Sequence, residues 1–327
     1  MKFLKKWIPI PRLSPLNTFH TRLVKKLTNI LNVTTTITLG KILFLTSFLG
    51  FNGARRVKFL ENGNAVVRLN RDCALGKKGS TLQLPKDDVI YKSVQLDGSW
   101  ELKECIFLAN GINLSAQEKN SSLALVDIGA NTGLVTLQVM NMLDVECDFV
   151  LFEPIPRHFH AIKYNLDHNS RVRIFNAGLA SKNSVAEIYT QSNNHGNSSL
   201  LKSAMPMSRT SESISTLIKL LDTHEVCSDL ISRYDSIVIK CDTQGMDALI
   251  LSEFSSEIWT KVQCALIEVW ALPEVDENHV SGLLLNIGKT HKAKWDSDFE
   301  EVDLLLVSEF WLSKSGESRN LFLEKRL

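Results

Sequence analysis

The sequence predicts an α/β fold in which helices cover both faces of a mostly parallel sheet. From residue 123 onward, apolar runs of strand length alternate with segments of helical periodicity. The first of these runs ends in a turn with two glycines, Gly129 and Gly133, which suits a connection from a buried strand to a helix. Chains that alternate in this way bury a sheet between two helical layers.

The first 60 residues differ in charge from the rest of the chain. They hold 11 Lys and Arg and no Asp or Glu, whereas the remaining 267 residues hold 26 Lys and Arg and 36 Asp and Glu. The net charge of +1 is therefore the sum of a basic leader and an acidic body with a net charge of −10. Such a body disfavours nucleic acid as a substrate.

The leader, residues 1–52, carries an amphipathic pattern. Ser14-Pro15 predicts a helix start, and apolar residues recur at three- and four-residue steps from Leu16 to Leu31. The apolar stretch 33–51 is interrupted by Lys41, which disfavours a transmembrane helix. We expect the leader either to lie on an anionic membrane surface or to pack on the acidic body.

Residues 53–120 predict a small β-rich cap. Asn62-Gly63 between two apolar runs indicates a hairpin, and 82–84 and 89–91 read as further short strands. Gly98-Ser-Trp-Glu101 then leads into a predicted helix that continues to Ala109.

Residues 121–327 form the third predicted domain and contain the alternation. Strands are predicted at 123–128, 149–152, 172–175, 185–190, 236–240, 265–269 and 303–307, and helices at 134–143, 157–169 and 214–221. Ligands of parallel sheets bind at the carboxyl ends of the strands, where the strand order reverses. The loops after these strands are therefore the candidate site.

The first of these loops reads Asp127-Ile-Gly-Ala-Asn-Thr-Gly133. A dinucleotide site would have a glycine where Asn131 stands, and Asp127 would repel a pyrophosphate. An acid at this place suits instead a ligand with an ammonium and a sulfonium, and S-adenosylmethionine is such a ligand. Glu153 directly follows the next strand, where a carboxylate can accept hydrogen bonds from both ribose hydroxyls. An NAD-type oxidoreductase is therefore disfavoured.

Four segments in order, VDIGANTGLVTL, FVLFEPIPRHFHAIKYNL, RIFNAGLAS and IVIKCDTQGMDALIL, resemble the FkbM-type class I methyltransferases. Gly98-Ser-Trp-Glu101 is similar to the family's G-x-[YW]-E motif. The resemblance implies a Rossmann-like class I methyltransferase sheet and methyl transfer from S-adenosylmethionine, most often to an oxygen of a sugar, polyketide or other secondary metabolite. It also implies a set of cofactor contacts: Asp127, Gly129, Ala130, Asn131 and Gly133 for the methionine part, Glu153 for ribose, Asn176 and Ala177 beside adenine, and Asp242 beside the methyl group.

Two positions depart from the family pattern. Gln244 replaces the Glu of D-V-E-G-A-E, and Thr216-Leu217-Ile218 aligns with T-L-D without its Asp. These departures keep open a non-catalytic cofactor-binding or scaffold protein of the same fold.

Three residues are candidates for handling the acceptor, because a hydroxyl needs a base within hydrogen-bond reach. Asp242 could orient the acceptor or act as the base, or it could cap the following helix. Glu268 stands among apolar residues, where burial would raise its pKa, and it could instead be a paired structural carboxylate. His195 lies in a polar segment, 191–199, that reads as a loop.

The remaining expectations concern partners and setting. The six cysteines include no C-x-x-C pair, which indicates reduced thiols and a cytoplasmic protein. A leader that lies on a membrane surface would make that protein membrane-associated. No metal-ligand constellation is apparent in the sequence, so we expect metal-independent transfer to a small-molecule or glycan acceptor. The asparagine-proline-proline-aromatic signature of amino-methylating enzymes is absent after the fourth strand.

Overall fold

The computed structural model describes residues 53–61, 63–85, 89–116, 121–191, 194–204, 213–295 and 301–326. Residues 53–327 form one compact unit. The predictions for the leader, residues 1–52, lie outside the described residues. Within the described ranges, the structure contains no helix that is both long and apolar enough to cross a membrane.

The centre of the unit is a sheet of seven strands. In spatial order they are β13 (His291–Trp295), β14 (Ser318–Lys325), β12 (Val262–Trp270), β11 (Ser236–Cys241), β4 (Leu123–Ile128), β5 (Asp148–Phe152) and β6 (Val172–Phe175). All neighbouring pairs from β12 to β6 are parallel, and β14 runs antiparallel to both β12 and β13. Every residue of β4 and β11 is buried, as in strands covered on both faces.

Helices cover both faces of this sheet, as the sequence predicted. The helices are α1 (Val89–Asp97), α2 (Leu102–Ser115), α3 (Leu134–Met142), α4 (Pro156–Leu166), α5 (Thr223–Arg233), α6 (Asp247–Ser252), α7 (Ser256–Lys261), α8 (Glu277–Thr290) and α9 (Leu304–Trp311). Alternate residues of β4 separate two cores: Leu125 packs with α1–α4, and Val126 packs with α5–α9. The α/β fold class is therefore confirmed.

The predicted cap forms a three-stranded antiparallel sheet of β1 (Ala54–Phe59), β2 (Asn64–Leu69) and β3 (Thr81–Pro85). Its apolar residues share one core with β4 and α3. The buried amide of Asn165 on α4 exchanges two hydrogen bonds with the backbone of Gln83 on β3, and it also donates to the carbonyl of Thr132. The cap thus supports the loop that follows β4.

A third sheet has the spatial order β7 (Gly178–Ala180), β10 (Ser213–Asp222), β8 (Ser184–Gln191) and β9 (Asn194–Ser199). The predicted helix at 214–221 is wrong, because this segment is β10 and pairs along its length with β8. The alternation is visible in burial, since Leu217 is 73% exposed and Ile218 is 3% exposed. The predicted loop at 191–199 is also wrong, because it contains β9.

Two predicted strands are helices. Residues 89–91 begin α1, which buries Ile90 and Val94, and residues 303–307 overlap α9, which buries Val307 and Trp311. In both cases the buried pair is four residues apart, which is helical spacing. The carboxylate of Asp303 caps α9 by accepting a hydrogen bond from the N–H of Leu305.

Candidate functional site

The candidate site lies at the carboxyl ends of β4, β5 and β11, and the strand order of the main sheet reverses between β4 and β11. The loops that follow these three strands are hydrogen-bonded to one another. The N–H of Asp242 donates to the carbonyl of Ile128 over 3.0 Å, and the N–H of Asn131 donates to the carboxylate of Glu153 over 2.8 Å. This is the position at which open α/β sheets bind ligands.

The loop after β4 needs its glycines. Gly129 has a φ of +79°, and a Cβ there would lie 1.9 Å from the carbonyl oxygen of Asp242. Gly133 has a φ of +75°, and a Cβ there would approach Leu166 to 2.9 Å. Only glycine allows this backbone to turn and the loops after β4 and β11 to touch.

An apolar cavity with an empty volume of about 700 Å³ opens beside these loops. Its walls include Ile188, Ile218 and Leu220 of the third sheet, and its polar groups include Glu153 and Asp242. Apolar walls with a few convergent polar groups are typical of a small-molecule site. We call it the apolar cavity.

Glu153 is fixed at the edge of the apolar cavity. It is 4% exposed, and its two oxygens accept hydrogen bonds from the N–H groups of Ile155 and Asn131, each over 2.8 Å. Nδ1 of His158 lies 3.7 Å from the same carboxylate. His158 is 2% exposed, because α4 turns it towards the apolar cavity.

Asn176 and Ala177 follow β6 and lie beside this edge. The exposed amide of Asn176 donates to the carbonyls of Glu153 and Pro154, and Ala177 is 2% exposed. On this segment the cavity wall itself is formed by Gly178 and Leu179. Contact of Asn176 and Ala177 with adenine stays a prediction.

Asp127 is fully buried beneath the loop. It lies opposite Lys240 in the register of β4 and β11, its Oδ2 accepts a hydrogen bond from Thr136, and its Oδ1 lies 3.4 Å from Nζ of Lys240. Lys240 also donates to the carbonyl of Gly129 and lies 3.5 Å from the carboxylate of Asp242. Burial lowers the pKa of Lys240, but these two carboxylates outweigh it and raise that pKa above its ordinary value.

Asp242 also borders a second cavity, with an empty volume of about 770 Å³. Its polar lining is Glu101, Asn131, Thr132, Lys240, Asp242, Gln244 and Glu268. Three carboxyl side chains and one ammonium give it an excess of acidic groups, and we call it the acidic cavity. Asp242, Gln244 and Asn131 border both cavities, so they mark the junction between them.

The amide of Gln244 connects the two carboxylates of the acidic cavity. Its Nε2 donates to Oδ1 of Asp242 over 2.8 Å and to Oε2 of Glu268 over 2.9 Å. Burial would raise the pKa of Asp242, but the Lys240 ammonium and the Gln244 amide hold it below its ordinary value. Burial and the negative charge of Asp242 raise the pKa of Glu268 well above its ordinary value, as the sequence predicted.

Asp242 does not cap the following helix, because α6 has Met246 at its N-cap position and no side-chain cap hydrogen bond. The carboxylate of Asp247, at the start of α6, accepts hydrogen bonds from the N–H groups of Thr243 and Gly245. Burial raises the pKa of Asp247 to about 6. Asp242 is therefore left with 27% of its side chain exposed, between the two cavities.

The two departures from the family motifs have different consequences. Ile218 is a wall of the apolar cavity, and an acid follows four residues later: Asp222 ends β10 and caps α5 through the N–H of His224. Gln244 has a φ of +55°, and its carbonyl accepts a hydrogen bond from Ser199. A non-glycine residue in this conformation is strained, and such residues concentrate at functional sites.

Glu101 is the site residue that sequence reasoning did not assign. It precedes α2 with a φ of +46°, and its side chain makes no capping hydrogen bond. It borders the acidic cavity. The resemblance of Gly98-Ser-Trp-Glu101 to a family motif was the available signal.

His195 lies on β9, in the hairpin that β8 and β9 form. Ser198 of β9 and Leu200, which follows this strand, line the apolar cavity. The role of His195 as a base stays a prediction. In the part of the chain that the structure describes, no group of three His, Cys, Asp or Glu side chains is placed to hold a metal ion.

The sequence matches no family model, and it matches no curated protein. Among solved structures, the chain is similar to precorrin-6y C5,15-methyltransferase from Geobacter metallireducens GS-15, with a TM-score of 0.32, 11% identity, and coverage of 68% of this chain and 88% of that one. It is similar to methyltransferase FkbM from Methylobacillus flagellatus KT, with a TM-score of 0.34, 12% identity, and coverage of 66% and 47%, about half of that protein. It is also similar to the O-methyltransferase from Bacillus cereus in complex with SAH, with a TM-score of 0.38, 9% identity, and coverage of 70% and 83%. Similarity at this level carries nothing about activity, and the fold described above rests on this chain's own strand order.

Proposed function

We propose that this protein transfers a methyl group from S-adenosylmethionine to a hydroxyl group of a glycan, a lipid-linked sugar or another small metabolite. The observation that carries this proposal is the position of Asp242, which borders both the apolar cavity and the acidic cavity. The two cavities share Asn131, Asp242 and Gln244, so one cofactor can extend from the first cavity into the second past Asp242. Methyl transfer needs the acceptor to be positioned at the methyl carbon, and Asp242 is the carboxylate at this junction.

The residues of the apolar cavity fit the adenosine part of the cofactor. Each oxygen of the Glu153 carboxylate accepts one backbone hydrogen bond, and each can accept a second from a ribose hydroxyl. Ile218 and Leu220 offer the apolar surface that a purine ring requires. The buried Oδ1 of Asn131 has no hydrogen-bond partner within the described residues, and an acceptor in that state suits a donor on a ligand.

The carboxyl groups of the acidic cavity fit the remaining part of the cofactor. S-adenosylmethionine, when bound, supplies an electrophilic methyl group on a cationic sulfonium. Asp242, Glu268 and Glu101 present carboxyl groups to this cavity, against the single ammonium of Lys240. A dinucleotide pyrophosphate would meet the same carboxyl groups unfavourably, which supports the cationic cofactor over NAD.

Asp242 and Glu268 have different roles in this proposal. The depressed pKa of Asp242 keeps its carboxylate ionised at neutral pH, so it accepts a hydrogen bond from the acceptor hydroxyl and orients it. The pKa of Glu268 is raised well above its ordinary value, so its carboxyl group holds a proton at neutral pH, and Asp242 is the carboxylate that takes the proton of the acceptor hydroxyl. Lys240 holds Asp242 in place through its fixed ammonium.

One observation favours a second candidate, a non-catalytic cofactor-binding protein. The amide of Gln244 occupies one oxygen of Asp242 and one oxygen of Glu268, and an acceptor hydroxyl would compete with it. In that candidate the protein keeps its cofactor cavity, and the Gln244 amide occupies the two carboxyl groups that would otherwise contact the acceptor hydroxyl.

Turnover separates these candidates. The full-length protein is incubated with methyl-labelled S-adenosylmethionine and fractionated glycan and lipid extracts, and label in the acceptor fraction is counted. We expect transfer by the wild type, loss of at least about 100-fold in Asp242→Ala, and unchanged transfer in Asp144→Ala, where an exposed Asp is changed in the same way. Cofactor binding without any transfer would favour the non-catalytic candidate, and equal transfer by both variants would contradict the role of Asp242.

A further inference from the structure

The acidic residue expected to hold the ammonium of the cofactor is already engaged. Asp127 is 0% exposed, and its Oδ2 accepts from Thr136 over 2.7 Å. Its Oδ1 accepts no hydrogen bond within the described residues, but it lies 3.4 Å from the Lys240 ammonium and forms an ion pair with it. A ligand ammonium would have to displace a lysine whose charge is held by two carboxylates and a carbonyl oxygen. Asp127 is therefore a structural partner of Lys240.

Glu101 is the acid that stands open in the same cavity. It shares the lining of the acidic cavity with Asn131 and Thr132 of the loop after β4. Among the residues that the structure describes, none donates a hydrogen bond to its carboxyl group, although Asp242 and Glu268 both have a side-chain donor. A partly buried carboxyl group without a donor is an open position for a cation.

A side chain of α3 holds the backbone at Glu101 in its strained conformation. The amide of Gln138, fully buried, accepts a hydrogen bond from the N–H of Trp100 and donates to the carbonyl of Trp100. These two bonds fix the residue before Glu101, whose φ of +46° is disfavoured for a side chain with a Cβ. The helix that follows the glycine loop thus sets the position of the Glu101 carboxyl group.

We propose that Glu101 recognises a primary ammonium group of the bound ligand, namely the α-ammonium of the methionine part of the cofactor. The inference rests on the proposed function and changes its assignment of residues, because the ammonium contact passes from Asp127 to Glu101. Glu101 directly precedes α2, outside the sheet, so the segment that leads into α2 takes part in binding.

The charges around Glu101 give a second consequence. Burial and the negative charge of Asp242 raise the pKa of Glu101 to about 8, with smaller effects from Glu104 and Asp127 in the same direction and from Lys240 in the opposite one. Glu268 borders the same cavity, and Arg319 borders the adjoining one with Glu101. At pH 7 the carboxyl group of the free protein is mostly protonated, and an ammonium ligand restores its charge. Binding therefore releases a proton from Glu101.

The test compares two ligands that differ in the amino-acid part. S-adenosylhomocysteine carries the α-ammonium, and methylthioadenosine lacks the amino-acid group. Calorimetry on the full-length protein measures both affinities for the wild type, for Glu101→Gln, and for two control variants. Glu104→Gln makes the same change one turn later on α2, and Asp127→Asn removes the charge first expected to bind the ammonium.

We expect Glu101→Gln to weaken S-adenosylhomocysteine about 10- to 100-fold and methylthioadenosine less than about twofold. Both controls should keep the wild-type ratio of the two affinities. In buffers of different ionisation enthalpy at pH 7, the wild type should release a proton on binding S-adenosylhomocysteine, and Glu101→Gln should not. This proton signature separates recognition from a loss of structure.

Three results would overturn the proposal. An unchanged affinity ratio in Glu101→Gln would show that the ammonium does not contact this residue, and a changed ratio in Asp127→Asn alone would return the contact to Asp127. If neither ligand binds the wild type, the proposed function fails, and the inference fails with it.

Discussion

The buried ammonium of Lys240 should be among the costliest single side chains to remove from this fold. Lys240 is 3% exposed and lies between Asp127 and Asp242, at 3.4 and 3.5 Å from their carboxylates. In Lys240→Met, the fully buried Asp127 would keep only the hydrogen bond from Thr136. Removing one partner of a buried ion pair costs about 3–5 kcal/mol, a large part of the 5–15 kcal/mol that typical domains possess.

The assay is urea unfolding of the full-length protein, with a double-mutant cycle. Asp127→Asn should cost less, about 1–3 kcal/mol, because Lys240 keeps Asp242 and the carbonyl of Gly129. The double variant removes both charges, so its loss should be smaller than the sum of the single losses by about 2 kcal/mol. Lys163→Met is the matched control: its ion pair with Asp167 is exposed, and we expect a change under about 0.5 kcal/mol.

Two results would refute this reasoning. If Lys240→Met costs no more than Lys163→Met, the ammonium of Lys240 does not hold the loops after β4 and β11. If the free-energy losses of Lys240→Met and Asp127→Asn add without a coupling term, the two side chains do not act as a pair.

Three further predictions follow from other parts of the chain. Gly129→Ala should abolish cofactor binding and destabilise the fold, because its Cβ would lie 1.9 Å from the carbonyl oxygen of Asp242. Gly282→Ala, in open space within α8, should instead stabilise the fold by up to about 1 kcal/mol. Calorimetry measures the cofactor affinity of each variant, and urea unfolding measures its stability. Burial lowers the pKa of His291 to about 4, so the stabilising effect of the neutral imidazole is present above pH 6.5 and is lost as the pH falls to 4. Between pH 7 and pH 4, the free energy of unfolding of the wild type should therefore fall by about 3 kcal/mol more than that of His291→Gln. We also propose that residues 1–52 bind anionic vesicles, and the full chain should sediment with them while a chain lacking residues 1–52 should not.

Each of these predictions has an outcome that contradicts it. Equal cofactor affinity in Gly129→Ala and the wild type would show that the two loops need not touch. Parallel pH profiles of the wild type and His291→Gln would remove His291 from the acid sensitivity. Equal sedimentation of the full and shortened chains would show that the basic segment does not carry membrane contact.

The parts of the site that sequence reasoning found are those determined by local pattern. The turn from β4 through Gly129 and Gly133 needs glycines within a few residues of a buried strand, and Glu153 and Asp242 directly follow buried strands. A parallel sheet brings the ends of its strands together, so these residues meet without any further information.

The parts that were missed depend on contacts between distant segments. Glu101 reaches the site because Gln138 holds the backbone before it, and Gln244 meets Glu268 because β11 and β12 are neighbours. The helix at 214–221 was predicted wrongly because β8 pairs with residues 213–220 of β10, and that pairing overrides a run of residues that suits either state. β13 and β14 went unpredicted, and β14 enters the sheet between β12 and β13 as its antiparallel member.

The central claim, that the edge formed by β4, β5 and β11 binds S-adenosylmethionine, is tested most directly by calorimetry with S-adenosylhomocysteine and NAD. The account predicts one binding site for S-adenosylhomocysteine and no heat with NAD. It also predicts that Glu153→Gln lowers the affinity for S-adenosylhomocysteine about tenfold, because two backbone N–H groups and the ribose hydroxyls would lose the carboxylate that accepts their hydrogen bonds. Binding of NAD, or no heat with S-adenosylhomocysteine, would contradict it.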